Sequence, residues 1–139
     1  MNDSKLTPKH SGEVFVYISA AIYGILGLLF IINPAGMASG LGFVDLSAEA
    51  INEISASYGG LWLAIGLYLC FLVRGREVKA ALALISFTFA GFAFGRLTGA
   101  LRLGAFHGLH CYWLAFELLY MLISNFYLRK YKSIKEKNA

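Results

Sequence analysis

The apolar positions of this chain fall into four long runs separated by short polar or glycine-bounded breaks. The first, VFVYISAAIYGILGLLFII, covers Val14–Ile32; the second, ISASYGGLWLAIGLYLCFLV, covers Ile54–Val73. The third extends from Ala80 to about Leu103, and the fourth, LHCYWLAFELLYMLISNFYL, covers Leu109–Leu128. Each has about 20 residues, the length a helix needs to cross a ~30 Å hydrocarbon layer. None alternates with period two, so the runs read as helices and not as strands of a barrel. The breaks Arg74–Lys79 and Gly104–Gly108 are short enough to make their flanking helices antiparallel neighbours. The first connection, Asn33 to about Asn52, is longer. Asn33-Pro34 reads as a helix cap with proline at the first helical position, and PAGMASGLGF as a short interfacial or re-entrant helix. Ser47 then caps a helix that continues through Glu53 into the second span. The expected fold is all-α: an integral membrane four-helix antiparallel bundle over 14–128, with an N-terminal segment 1–13 and a basic tail 129–139.

Composition supports lipid as the solvent. Of 139 residues, 58% are hydrophobic and 14% charged, against about 25% charged in soluble domains. A chain this short, with room for one domain, has too much surface for its volume to hide that apolar excess from water. The formal net charge is +4. Lys5, Lys9, Arg74, Arg76, Lys79, Arg129, Lys130, Lys132, Lys135 and Lys137 flank the apolar runs, while the first and third connections have only Arg102 near them. By the positive-inside rule both termini are expected in the cytoplasm, with the tail RKYKSIKEKN solvated or against anionic lipid headgroups. No basic recognition helix accompanies the charge, which argues against nucleic acid as a partner. Cys70 and Cys111 lie in apolar runs, far from any Cys-x-x-Cys, and read as buried free thiols. The first run is too long for a signal-peptide core and lacks a clean cleavage site.

Apolar helices in lipid are held together by close backbone contact and interhelical hydrogen bonds. Gly91, Gly95 and Gly99 form a Gly-xxx-Gly-xxx-Gly ridge on the third span, the second span offers Gly60 and Ala64, and the first offers Ala20 and Gly24. These faces predict tight packing within the bundle. The same ridge could pair two copies of the chain or pack on a larger membrane complex.

The chemistry concentrates on Arg96, inside the apolar stretch GFAFGRLTGALRLG. An unpaired charge there costs from ~3 to above 10 kcal/mol. The acidic residue available inside another span is Glu117. At 1.5 Å per residue, Arg96 below Leu103 and Glu117 below Leu109 both lie roughly 10–12 Å deep on one side of the bilayer. A five-residue turn would bring them together as a buried ion pair or in a shared hydrated pocket. Glu53 and Tyr58 on the second helix and His110 on the fourth belong to the same side, so an outward-opening pocket lined by Glu53, Tyr58, Arg96, His110 and Glu117 is expected. Two plainer readings stand beside it. The pair could serve only to fix helix register, or Arg96 could snorkel to the headgroups. His107, His110 and Glu117 have the residue types of a metal site, but their spacing is too loose to assign one. No cofactor is named by any motif: nucleophile triads, phosphate loops and dinucleotide glycine patterns are all missing.

Three segments, NEISASYGGLWLAIGLYLC from Asn52, GFAFGRLTGAL, and LAFELLYMLISNFYLRK, resemble the DUF4345 family of small bacterial four-helix membrane proteins. NPAG after the first span matches the family's usual first-loop opening, Tyr58-Gly59-Gly60 is the most specific piece, and Gly95-Arg96 and Glu117 fit. The third connection, with His107 and His110, departs from the family's Asp-Gly-containing turn. The architecture is also similar to DoxX-type proteins, some of which work beside redox enzymes. The resemblance covers about Val14 to Arg129 and implies a multi-pass protein of the bacterial cytoplasmic membrane, without an assigned activity. The residues favour a non-enzymatic binding or accessory subunit that takes a lipid- or quinone-like ligand in the polar pocket. A structural subunit of a larger complex, and a small-molecule transporter or membrane enzyme, remain alternatives.

Overall fold

The computed structural model describes residues 8–104 and 108–137, with side chains over 10–104 and 108–131. The described residues are helical apart from short connections, and no strand occurs among them. Helix α1 runs Pro8–Ile32, α2 Pro34–Ser39, α3 Ala48–Ile54, α4 Leu61–Arg74, α5 Val78–Leu103 and α6 Gly108–Lys137. A π-helical turn, Ser55–Gly60, joins α3 to α4, so residues 48–74 form one continuous rod. Four helical stretches are long and apolar enough to cross a membrane: His10–Ile32, Ala48–Arg74, Val78–Leu103 and Gly108–Tyr131. Many of their large apolar side chains face outward. Phe87 is 78% exposed and Leu101 81%, as expected of surfaces whose solvent is lipid. Helix α1 starts several residues before the apolar run at Val14. Helix α6 carries the basic tail onward as helix to Lys137.

The chain divides into two units, residues 14–76 and residues 77–139 together with the segment up to Glu13. In the 14–76 unit, α1 and the α3–α4 rod touch backbone to backbone. A Cβ built on Gly27 would lie 2.5 Å from Leu63 N, one on Gly66 2.8 Å from Ala20 O, and one on Gly59 2.7 Å from Ile31 Cγ1. The π turn adds backbone to the helix at this crossing, and Gly59 is buried within it. At the end of this unit Phe30, Ala38 and Ile54 form a buried cluster covered by Met37, Leu41, Leu46, Tyr58 and Trp62. Helix α2 begins as its sequence dictates, with Asn33 Oδ1 accepting from Gly36 N at 3.0 Å and Pro34 at the first position. Ser47 caps α3 in the same way, its Oγ accepting from Ala50 N.

These tight approaches use other glycines than the ones that the spacing of small residues singles out. A Cβ on Gly60, Gly91, Gly95 or Gly99 would meet no atom within 4 Å. The spacing of small residues makes a groove available without saying which side of the helix a neighbour occupies. On α5 the buried residues are Val78, Ala81, Leu82, Ile85, Ser86, Phe89 and Ala93. Gly91 and Gly95 each follow a member of that row by two residues, about 200° around the helix, and so face away from it.

In the 77–139 unit, α5 and α6 run antiparallel. Their interface is marked by Ser124 Oγ donating to Leu82 O at 2.7 Å, and by Asn125 Nδ2 donating to Ser86 Oγ at 2.7 Å. Next along it Phe89 and Tyr120 stack with centroids 4.5 Å apart, flanked by Phe116 at 5.8 and 5.2 Å. Helix α5 stops at Gly104, whose φ of 63° is the left-handed cap conformation that glycine adopts without Cβ strain.

Candidate functional site

Beyond the aromatic layer the α5–α6 interface changes character. Arg96 follows Phe89 and Ala93 on the buried face of α5, and His110, Glu117 and Tyr120 recur on one face of α6 at three- and seven-residue spacings. Arg96 and Glu117 therefore meet. Nη2 of Arg96 donates to Glu117 Oε1 at 2.6 Å, while Nε–H is shared between Oε1 at 3.2 Å and Oε2 at 3.1 Å. This is the side-on, two-pronged geometry in which a guanidinium binds a carboxylate most strongly. Nη1 lies 3.3 Å from His110 Nδ1. Arginine has no acceptor, so a hydrogen bond here is one in which Nδ1 accepts from Nη1.

Burial is asymmetric. The Glu117 side chain is 4% exposed, that of Arg96 26%. The carboxylate is sealed, while about a quarter of the Arg96 side chain stays accessible. By residue count Arg96 stands about 10 Å from the end of α5, well inside a membrane-length helix. An isolated charge at that depth is costly, and the bidentate contact with Glu117 is what offsets it.

Within the 77–139 unit the structure brings together three of the five expected pocket residues. Arg96, Glu117 and His110 come together. Glu53 is exposed on α3, and Tyr58 lies in the π turn, both in the 14–76 unit. Tyr58 is committed there to packing, stacked on Phe30 at 5.2 Å and 5.5 Å from Trp62. His107 lies outside the described residues. Among the described residues no group of three His, Cys, Asp or Glu side chains is placed to hold a metal. Of the two free cysteines Cys70 is half-buried and Cys111 exposed, so the expectation of two buried thiols fails for Cys111, which sits on an outward face of α6.

Sequence reasoning missed the hydrogen bonds that continue the interface beyond the ion pair. Ser124 and Asn125 follow Glu117 by two helical turns, and that spacing was the available signal. The Phe89–Tyr120 stack carried no such signal, since aromatics are common on every face of these helices.

The family model for a domain of unknown function, DUF4345, matches residues 12–128. No curated protein and no solved structure matches the chain significantly. The match takes in every helix from α1 to most of α6, including Arg96, His110 and Glu117, and on this ground the chain belongs to the DUF4345 family.

Proposed function

We infer that this multi-pass membrane protein is a non-enzymatic binding subunit that holds an amphipathic, lipid- or quinone-like ligand at Arg96. One observation carries the reading: Arg96 is neutralised by a buried carboxylate yet keeps a quarter of its side chain exposed. A pair needed only for register gains nothing from that exposure, because hydrocarbon offers the accessible part no acceptor. A polar head seated there would satisfy it while an apolar tail lies along the helices. The Lys/Arg distribution supports placing both termini in the cytoplasm and the Arg96 end on the outer side of a bacterial inner membrane. Native mass spectrometry from mild detergent tests the reading. The wild-type chain should retain a stoichiometric amphiphile, and an Arg96→Leu/Glu117→Leu double variant, which keeps an apolar interface, should lose it. Equal ligand content in the two would overturn it.

A second reading is favoured by the open row on α5. Gly91, Gly95 and Gly99 present backbone with nothing against it, which suits close approach by a helix of a second copy or of a larger membrane complex. Bulky substitution at Gly95 would then abolish copurification with that partner while leaving ligand content unchanged.

A further inference from the structure

The accessible part of Arg96 can be read for the class of ligand it takes, an inference that rests on the binding reading above. A guanidinium carries five N–H groups and no acceptor. Glu117 takes Nε–H and one hydrogen of Nη2, and His110 takes one hydrogen of Nη1. Among the described residues, each Nη therefore keeps one N–H without a partner, on a side chain that is 26% exposed. The remaining lone pairs of Glu117 are out of reach, because that residue is 3% exposed. An incoming molecule meets donors only and must bring an acceptor, which disfavours amines and ammonium heads.

Charge narrows the class further. The guanidinium is already balanced by a carboxylate at 2.6 Å. A phosphate or carboxylate head would leave the cluster with a net negative charge in a medium of low dielectric, where uncompensated charge is most costly. An uncharged oxygen leaves it neutral. Depth agrees: about 10 Å from the end of α5 is below the 5–7 Å or so of polar headgroup layer on each side of a bilayer. Below the headgroup layer an anionic phosphate is costly to bring in, whereas an uncharged oxygen carried on an apolar molecule is admitted at lower cost. A carbonyl oxygen has two in-plane lone pairs and can receive both free N–H groups.

We propose that Arg96 binds an uncharged, carbonyl-bearing apolar molecule, either an acyl ester lipid or a ring ketone of the quinone type. Four probes added to the full-length protein in detergent and read by native mass spectrometry test this: methyl oleate, oleyl methyl ether, oleyl phosphate and decylubiquinone. At least one of the two carbonyl probes should bind about tenfold or more tighter than both the ether and the phosphate, the effect of one charge-assisted hydrogen bond, and the tighter of the two identifies the source. Glu117→Gln removes the compensating charge and should turn the preference toward oleyl phosphate. Arg96→Lys keeps the charge, loses the planar fork, and should lose the ester-over-ether preference. The wild-type ranking needs no variant to fold. Oleyl phosphate outranking both carbonyl probes, or ether binding as well as ester and quinone, overturns the proposal and leaves the binding reading standing. Equal uptake of every probe by the wild type and the double-leucine variant overturns the binding reading itself.

Discussion

Replacing Gly27 by alanine adds one methyl group where there is no room for it. The new Cβ would lie 2.5 Å from Leu63 N, 2.9 Å from Gly59 O and 2.9 Å from Leu63 Cα. All three are backbone atoms of the facing rod, so no rotamer change relieves the contact. Carbon atoms pack best at about 3.5–4.0 Å, so the two helices must separate by roughly 1 Å, and a gap of that size forfeits about a quarter to a half of each dispersion contact across the crossing. Overpacking of this kind costs about 1–3 kcal/mol, and between lipid-solvated helices no hydrophobic term compensates. Gly91→Ala is the matched control. Its Cβ meets nothing within 4 Å, and alanine is favoured over glycine in a helix by up to about 1 kcal/mol. In SDS titrations of the detergent-solubilised protein followed by far-ultraviolet circular dichroism, Gly27→Ala should unfold at lower denaturant, by about 2 kcal/mol. Gly91→Ala should match or exceed the wild type. Equal midpoints for the two variants would refute the claim that the 14–76 unit is held by backbone contact at Gly27.

Other consequences are open to the same denaturation assay. Glu117→Ala strands a largely buried guanidinium and should cost about 3–5 kcal/mol, whereas Arg96→Leu/Glu117→Leu should lie within about 1 kcal/mol of wild type, because removing a buried pair together is far cheaper than breaking it. Ser124→Ala removes a hydrogen bond between buried groups, Ser124 Oγ to Leu82 O, and should cost about 1 kcal/mol. Asn33→Ala removes the cap on Gly36 N. It should loosen α2 by about 1 kcal/mol, visible as faster amide exchange over residues 34–39 with little change elsewhere.

The helices and their caps were legible because they depend on local chemistry. Length and apolarity specify a span, Asn33-Pro34 and Ser47 specify helix starts, and the short Arg74–Lys79 connection specifies a reversal. The level of Arg96 and Glu117 was legible too, since rise per residue turns sequence position into depth. The rotation of each helix about its own axis was not. Gly91, Gly95 and Gly99 repeat as regularly as Phe89, Ala93 and Arg96, and nothing in the spacing says which row meets a neighbour. Gly27, Gly59 and Gly66 carry no four-residue repeat, yet they make the tight approaches. The π turn was also out of reach, because it depends on how the rod meets α1 and not on any residue type within Ser55–Gly60.

Rotation is decidable in one helix pair, and the charge decides it. A bidentate contact between Arg96 and Glu117 tolerates little turning of either helix, whereas apolar faces can exchange with lipid at small cost. Once Arg96 is held on Glu117, Phe89 is brought onto Tyr120, Ser86 onto Asn125 and the Leu82 carbonyl onto Ser124, because antiparallel helices of fixed rise descend and ascend in step. The same rotation carries Gly91 and Gly95 away from α6. The openness of the glycine row thus follows from satisfying the guanidinium. A variant that moved the carboxylate one residue along α6, Glu117→Leu with Leu118→Glu, would ask α6 to turn by about 100° and should break the Ser124 and Asn125 hydrogen bonds together.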